Sequence, residues 1–302
     1  MERRKFIKYT VAGIAYTGLA GLTLQSFANL GEKQITILHT NDTHSHVEPF
    51  PSNHRRHAKK GGIAKRASLV EKIRKENPNT LLLDAGDIFQ GTPYFNYFGG
   101  ELEFKLMSML KYDAATLGNH DFDNGIDGFH KQLPHAEFYF VCANYDFKNT
   151  VLDTIIKPYK IFYKDTIRIG VFGLGIELNG LVNKSLYKET QYLGPIEIAQ
   201  DMGRELKQKK RCDLIICLSH LGYQYKSQKI SDLKLAAATE NIDLIIGGHT
   251  HTFLPKPSVV KNRNGRDILV NQVGAYGVNL GRIDFFFDAN KNKTTREKII
   301  LV

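Results

Sequence analysis

Cysteine is scarce in this sequence, and the few positions it occupies exclude several kinds of protein. Only Cys142, Cys212 and Cys217 occur in 302 residues. They lie in apolar segments, without the spacing of a cysteine metal site and without the even number that a disulfide framework needs. We therefore expect buried thiols that pack as small apolar side chains. A disulfide or a reactive thiol is the alternative in an oxidising compartment.

Acidic residues are also in the minority. The 31 Asp and Glu stand against 41 Lys and Arg, which gives a formal net charge of +10 at pH 7. Part of this excess lies in the first ten residues, and the rest is scattered as on solvated helix surfaces. A basic protein attracts anions, but phosphate esters, nucleic acid and acidic membranes satisfy that condition equally well. The net charge alone therefore does not identify which of these anions the protein binds.

The sequence has neither internal repeats nor low-complexity linkers. Its 42% hydrophobic and 11% aromatic content is sufficient for a sizeable core and excludes a disordered or fibrous chain. We expect one large domain, because a second full domain would need roughly 100 more residues.

The N-terminus carries an export-type segment. Residues 2–8 (ERRKFIK) are basic, and the uncharged run 9–28 is rich in Gly and Ala. This order is typical of a signal peptide, and the paired arginines resemble the twin-arginine export signal. We predict that residues 1–28 direct export to the periplasm or cell surface. A retained membrane anchor is the alternative, because the run approaches the ~20 residues that span a bilayer.

Beyond this segment, short apolar runs alternate with amphipathic stretches, which predicts an α/β fold. The predicted helices are 63–75, 101–110, 196–209 and 233–239. The predicted strands are 35–39, 80–83, 114–117, 138–142, 168–174, 214–218, 244–246, 268–270 and 283–287.

Five of these strands end in clusters of Gly, Asn, Asp and His. Ligands of α/β sheets gather at the carboxyl ends of strands, so the clusters mark a candidate site. A single histidine would more often be a packed residue than a ligand, but five clusters in one chain favour a site. They are NDTH at 41–44, GDIFQG at 86–91, GNHDFD at 118–123, SH at 219–220 and GGHTH at 247–251.

The side chains of these clusters suit metal binding. Oxygen and imidazole donors without thiolate fit Zn, Mn, Fe or Co better than Ca or Mg. The Asp87 carboxylate has two oxygens and can bridge two cations, and two ions roughly 3.5–4 Å apart can acidify a bridging water and neutralise a phosphoryl group. His120 follows Asn119 and offers an acid–base group. The candidate ligands are Asp42, His44, Asp87, Asn119, His220, His249 and His251.

The motif series Asp-x-His, Gly-Asp, Gly-Asn-His-Asp, His and Gly-His-x-His resembles the calcineurin-like metallophosphoesterases. The variants GDIFQGT at 86–92, NHDFD at 119–123 and GGIA at 61–64 look like the branch of 5′-nucleotidases and 2′,3′-cyclic phosphodiesterases. The resemblance covers residues 34–288. It implies a four-layer α/β/β/α sandwich with two facing mixed sheets, within a catalytic domain at 29–302.

The resemblance also implies roles for the candidate residues. One divalent metal ion would be held by Asp42, His44, Asp87 and His251, and a second by Asp87, Asn119, His220 and His249. His120 would stabilise the transition state or protonate the leaving oxygen, and Asp123 would orient it.

Nucleotidases of this family continue into a second domain that binds the base. We expect no such C-terminal nucleotide-binding domain within residues 29–302, so a separate chain could supply it. We accordingly expect the metal face to bind little beyond the phosphate and to discriminate weakly between bases.

The leading interpretation is an exported phosphomonoesterase that acts on 5′-nucleotides or related small phosphorylated substrates. A 2′,3′-cyclic nucleotide phosphodiesterase and a broad phosphodiesterase or nuclease are the enzymatic alternatives. Because the basic residues are dispersed, we expect no stable nucleic-acid partner. A metal-bound scaffold without turnover is a further alternative, but it would need neither His120 nor Asp123.

Two other features are open to more than one interpretation. The run HRRHAKK at 54–60 could overhang the metals and attract phosphate, although a solvated basic loop is the preferred interpretation.

An aromatic cluster follows the Asp87 motif. Packing in the core or at its rim is the expected role, with substrate stacking or partner docking as the alternative. Its members are Phe89, Tyr94, Phe95, Tyr97 and Phe98.

Overall fold

The computed structural model describes residues 32–302. The predicted export segment at 1–28 lies outside the described residues. Within residues 32–302, no helix is both long and apolar enough to cross a lipid bilayer.

The described part of the chain alternates between strands and helices, as the sequence predicts. The strands are β1 Lys33–Thr40, β2 Thr80–Asp84, β3 Ala114–Ala115, β4 Tyr139–Phe140, β5 Tyr145–Asp146, β6 Tyr159–Lys164, β7 Ile167–Leu174, β8 Gln191–Tyr192, β9 Leu214–Ser219, β10 Leu244–Gly247, β11 Ser258–Lys261, β12 Asp267–Asn271, β13 Asn279–Phe287 and β14 Lys293–Leu301. The helices are α1 Ile63–Glu76, α2 Pro93–Phe98, α3 Glu101–Met109, α4 Gly125–Gln132, α5 Lys184–Tyr187, α6 Pro195–Arg204 and α7 Asp232–Ala238.

Two six-stranded mixed sheets form the centre of the fold. The first has the order β14-β13-β1-β2-β3-β4, and the second has the order β11-β12-β10-β9-β7-β6. Four neighbouring strands of each sheet are parallel: β1 to β4 in the first, and β12, β10, β9 and β7 in the second. Antiparallel strands complete the edges, namely β13 and β14 in the first sheet and β11 and β6 in the second. The parallel strands of each sheet therefore direct their carboxyl ends to one common edge.

Alternate residues of the central strands face opposite layers, as the pleat requires. In β9, Leu214, Ile216 and Leu218 pack into the core shared with the facing sheet. Ile215 and Cys217 of the same strand pack into a second core with the helices that cover this sheet. Strands buried on both faces read as continuous apolar runs, which is why the sequence reveals them.

Helices cover the outer face of each sheet. Val70 of α1, Phe104 of α3 and Phe129 of α4 pack on the first sheet. Ala199 of α6 and Leu235 of α7 pack on the second. The two outer cores and the core between the sheets make four layers, so the predicted α/β/β/α sandwich with two facing mixed sheets is confirmed.

The three cysteines are buried in these cores. Cys142 packs under the first helical layer, whereas Cys212 and Cys217 pack under the second. Within the described residues all three are unpaired, as predicted. Burial raises the pKa of the Cys142 thiol to about 12, so it remains protonated and unreactive at neutral pH.

Candidate metal centre

The seven predicted ligands lie on loops that follow five parallel strands. Asp42 and His44 follow β1, Asp87 follows β2, and Asn119 lies four residues after β3. His220 follows β9, and the pair His249 and His251 follows β10. Because β1, β2 and β3 belong to one sheet and β9 and β10 to the other, the loops meet across the common edge of the sandwich. The structure therefore brings together residues that are more than 200 positions apart in the chain.

The ligand atoms form two groups that share one residue. Potential ligand atoms of each group lie within 4.8 Å of one another. The groups are Asp42, His44, Asp87 and His251, and Asp87, His220 and His249. Asp87 is 1% exposed and belongs to both. Its carboxylate is thus in the position that a ligand bridging two ions would occupy.

In the first group, imidazole nitrogens and carboxylate oxygens converge. The Nε2 atoms of His44 and His251 are 3.0 Å apart, and His251 Nε2 lies 3.4 Å from Asp42 Oδ1. His44 Nε2 lies 3.8 Å from Asp87 Oδ2. The Nδ1 atom of His44 lies 3.2 Å from the carbonyl oxygen of Phe89. Because that nitrogen donates to the carbonyl, the lone pair of Nε2 faces the other donors.

The second group contains a buried nitrogen without a hydrogen-bond partner. His220 donates from Nδ1 to the carbonyl oxygen of Ala85 at 2.7 Å, which leaves its Nε2 toward the cluster. This Nε2 lies 3.1 Å from Asp87 Oδ2 but is not aligned for a hydrogen bond. His249 Nδ1 and Asn119 Oδ1 are 2.9 Å apart beside it. With Nε2 deprotonated, the lone pairs of this nitrogen and of the Asp87 oxygen would both be available to a cation, so this set of ligand atoms fits divalent ions.

Burial sets the protonation of the imidazoles. It lowers the pKa of His44, and it lowers the pKa of His249 to about 4. Burial acts in the same direction on His220, but the Asp87 carboxylate outweighs it and raises the pKa of His220 to about 10. His44 and His249 are therefore neutral and have the lone pairs that a metal ligand needs.

His120 lies beside the two groups and is held by Asp123. Its Nδ1 donates to Asp123 Oδ2 at 2.8 Å, and this hydrogen bond raises the pKa of His120 although burial opposes it. Its backbone N–H donates to Asp87 Oδ1 at 2.8 Å. The His120 ring is 5.3 Å from that of His44. The structure thus places His120 next to the ligand clusters with Nε2 free of Asp123.

The loops that present the ligands have an uncommon backbone conformation. Positive φ angles occur at five of the seven predicted ligands: Asp42 at 50°, His44 at 47°, Asp87 at 56°, His249 at 71° and His251 at 50°. Residues other than glycine adopt such angles rarely and at a cost of about 1–3 kcal/mol each. Concentration of this strain at one edge of the sandwich indicates a functional site.

Close approach of the loops requires glycine at two positions. A Cβ atom on Gly118 would lie 2.2 Å from Asp87 Oδ1, and one on Gly248 would lie 2.8 Å from His220 Nδ1. Either side chain would displace a predicted ligand. Gly118 and Gly248 therefore allow neighbouring loops to pack against each other.

Two buried residues that sequence reasoning did not assign hold the ligand loops in place. Asp121 accepts hydrogen bonds from the backbone N–H groups of four residues, including Asp87 and Gly118 at 3.0 and 2.8 Å. Gln272 donates to the carbonyl oxygen of Gly248 at 2.6 Å and accepts from the Thr250 hydroxyl at 3.0 Å. The motif GNHDFD pointed to Asp121, but nothing in the sequence marks Gln272.

A cleft of about 510 Å³ opens above the ligand groups. The basic run at 54–60 contributes to it: Arg55, Ala58 and Lys59 are exposed, whereas His54 and His57 are half-buried and line the cleft. The remaining lining residues are His44, His46, Phe50, Arg56, Gln90, Gly91, His120, His251 and Tyr276.

The aromatic cluster after the Asp87 motif divides into two parts. Phe89 and Phe95 are buried, and the Phe89 ring stacks on Phe104 with 4.9 Å between centroids. Tyr97 is 85% exposed and Phe98 is 42% exposed. The buried part has the packing role expected from the sequence.

Comparison with known proteins identifies the family. A model of the calcineurin-like phosphoesterases matches residues 35–253. The chain belongs to the calcineurin-like phosphoesterase family. The snake venom 5′-nucleotidase of Crotalus adamanteus is 34% identical over 294 residues, which cover 90% of this chain and 48% of that protein. The trifunctional nucleotide phosphoesterase protein YfkN of Bacillus subtilis is 33% identical over 288 residues, which cover 84% of this chain and 18% of YfkN.

A solved structure shows the same relationship. The 5′-nucleotidase precursor from Thermus thermophilus superimposes with a TM-score of 0.82 at 35% identity and covers 89% of this chain and 55% of that one. The family predicted from the motifs is thus confirmed. The chain spans about half the length of the snake venom relative.

Proposed function

We propose that the chain hydrolyses phosphate monoesters of the nucleotide class with the help of two divalent metal ions. The observation that carries this proposal is the Asp87 carboxylate, which belongs to both ligand groups and lies beneath a cleft that His120 lines. Relatives named 5′-nucleotidase, at 33–34% identity, support the nucleotide as substrate.

Each group of residues has a defined part in this proposal. Divalent ions bound here would neutralise phosphoryl charge and generate the nucleophile from water. One ion would be held by Asp42, His44, Asp87 and His251, and the other by Asp87, Asn119, His220 and His249. Asp123 holds the Nδ1 proton of His120, which directs Nε2 into the cleft. From there, Nε2 donates a proton to the leaving oxygen or a hydrogen bond to the phosphoryl group.

The test is turnover by the purified chain supplied with Mn. We expect hydrolysis of a chromogenic phosphate monoester and of 5′-nucleotides, and loss of both activities after chelation. Metal content measured by mass spectrometry should approach two ions per chain. A protein that binds two ions but turns over none of these esters would be a metal-bound scaffold, and the proposal would fail.

A second candidate activity is cleavage of cyclic or other phosphodiesters. YfkN, which is 33% identical, is named a trifunctional nucleotide phosphoesterase, so one site of this family can belong to a protein of several activities. A panel of 5′-nucleotides, 3′-nucleotides and 2′,3′-cyclic nucleotides separates the candidates. Faster turnover of the cyclic nucleotides would make the diesterase the principal activity.

We further propose that the catalytic domain at 29–302 is exported by residues 1–28. The basic stretch ERRKFIK and the uncharged run after it support this assignment. Mass spectrometry of the secreted protein should find an N-terminus after Ala28, and replacement of Arg3 and Arg4 by Lys should retain the protein in the cytoplasm. An intact, membrane-bound chain would indicate an anchor instead.

A further inference from the structure

A row of aromatic rings leads away from the predicted metal ligands along one side of the cleft. The Tyr276 ring is 5.6 Å from His251 and 5.9 Å from His44. Phe50 lies 5.9 Å from Tyr276, and His54 lies 4.4 Å from Phe50. The row therefore begins at the ligand groups and extends along the cleft.

The row ends in a stack. His54 and His57 are stacked with centroids 5.5 Å apart, and His57 is stacked on Phe253 at 5.6 Å. Phe253 is 45% exposed, so the row reaches the outer surface. We call these five residues the aromatic wall: Phe50, His54, His57, Phe253 and Tyr276.

The loop that supplies most of the wall is closed by its own backbone. Phe50 donates to the carbonyl oxygen of Lys60 at 2.8 Å, and Lys59 donates to that of Phe50 at 3.0 Å. The backbone N–H of His57 donates to His54 Nδ1 at 3.0 Å. These bonds do not use the rings of Phe50 and His57. The two rings contact other rings of the row, and they can be replaced without opening the loop.

The charge of the cleft indicates what the wall would bind. None of the eleven lining residues, all within the described part of the chain, is Asp or Glu, and Arg56 is the permanent cation among them. Burial, together with His54, Lys60 and Arg56, lowers the pKa of His57, so this imidazole is neutral at pH 7. Several aromatic rings beside a single guanidinium suit a planar aromatic group better than a second phosphate.

We propose that the aromatic wall is a subsite for the planar aromatic group of the substrate, such as a nucleobase, whose phosphate lies over the predicted metal ligands. This inference rests on the proposed function and names the leaving group that the site prefers. It replaces the sequence-based expectation that the site binds little beyond the phosphate. The wall combines loop 49–60 with residues 253 and 276, which the sequence gives no reason to join.

The test compares two esters that share a ribose 5-phosphate group. Adenosine 5′-monophosphate has a base, and ribose 5-phosphate has none. We expect kcat/KM to favour the nucleotide in the Mn-loaded protein. Phe50→Leu and His57→Leu, which keep apolar bulk but remove the ring, should each lower that preference by about 10-fold, within the range found for loss of one stacked base. The rate with ribose 5-phosphate should be unchanged.

The matched control is Tyr97→Leu, which removes an exposed ring outside the cleft. It should leave the preference intact. Loss of preference in Tyr97→Leu alone would place base binding at the other aromatic cluster and overturn the proposal. Arg56→Gln tests the anion alternative. If it slows both esters while the ring variants change nothing, the cleft holds a phosphate and the wall is not a base subsite.

Binding of adenosine to the metal-free protein supplies a readout that does not need turnover. Saturation-transfer NMR should detect bound adenosine with the original chain and with Tyr97→Leu. The adenosine signal should be weaker with His57→Leu. If neither ester is hydrolysed but adenosine binding depends on His57, the proposed function fails and the subsite stands. Equal adenosine signals from all variants, or no signal from any, would overturn the subsite.

Discussion

Asp87 is the residue on which the two-metal assignment depends most directly. Asp87→Asn removes the negative charge shared by both ligand groups but keeps an oxygen that can accept the hydrogen bond from the backbone N–H of His120. Loss of partners outside the ligand shell commonly costs 10–100-fold in affinity or activity, so loss of a shared ligand should lower kcat/KM by more than about 100-fold. Metal content should fall below two ions while the circular dichroism spectrum is unchanged.

The exposed Asp153 provides the control for this substitution. Asp153→Asn removes the same charge at a residue that belongs to neither ligand group and does not line the cleft, so it should change neither turnover nor metal content. Full activity of Asp87→Asn with two bound ions would show that the site does not use a shared carboxylate.

His120 is predicted to act on the reacting phosphoryl group and not as a metal ligand. His120→Ala should therefore lower kcat by roughly 10²–10⁴-fold, the usual contribution of a positioned acid–base group. Metal content should be unchanged. Asp123→Asn keeps the imidazole but removes the charged acceptor of its Nδ1 proton, so kcat should fall in the same direction by a smaller factor. If His120→Ala loses an ion, His120 is a ligand and the assignment is wrong.

At the scale of elements, the loop after β10 is held by a side chain that directly follows β12. The amide of Gln272 is fully buried and contacts Gly248, Thr250 and Thr252. Gln272→Ala removes these hydrogen bonds and leaves the backbone N–H of Thr252 without its acceptor, which costs about 1–3 kcal/mol of stability. Because His249 and His251 lie on this loop, metal affinity should also fall by roughly 10–100-fold in a binding titration.

Gln272→Glu separates positioning from stability. It retains an oxygen that can accept from Thr250 and Thr252 but loses the donor to the Gly248 carbonyl, so it should recover part of the metal affinity. If Gln272→Ala lowers the melting temperature but leaves metal affinity unchanged, this side chain supports the fold alone.

At the scale of the whole molecule, the predicted ligands come from both sheets, so bound ions should join the two halves of the sandwich. A ligand present at about 100 times its Kd stabilises the folded state by about 2.7 kcal/mol. Chelation should therefore lower Tm by roughly 5–10 °C for a domain of this size. Scanning calorimetry with and without chelator measures this difference. Asp87→Asn should show a much smaller shift, and an equal shift in both proteins would mean that the stabilising ions bind elsewhere.

The strands that the sequence predicted are those that contain a continuous apolar run. All nine predicted strands overlap strands of the structure, namely β1 to β4, β7, β9, β10, β12 and β13. The missed strands β6, β11 and β14 lie at sheet edges, and β5 and β8 form a small separate pair. Edge strands are partly solvated and are often charged, so they lack a continuous apolar run. In β14, KTTREKIIL, five successive residues are exposed.

The chemistry of the site was also visible in the sequence, since motifs at strand ends combine Asp, Asn and His with glycine. The roles of these residues remain predictions. The structure brings all seven candidate ligands, His120 and Asp123 to one edge of the sandwich. Local sequence suffices for the ligands of each sheet, because the carboxyl ends of parallel strands in one sheet share an edge whatever the strand order.

The residues that support and surround those ligands depended on tertiary structure. Gln272 reaches the His249 loop only because β12 pairs with β10, and that pairing has no local signal. The aromatic wall likewise joins loop 49–60 to Phe253 and Tyr276 across some 200 positions. Short-range periodicity and motif spacing report which residues are buried and which can bind a metal. Which distant side chains meet is set by packing of the two sheets, and that packing is a property of the folded chain as a whole.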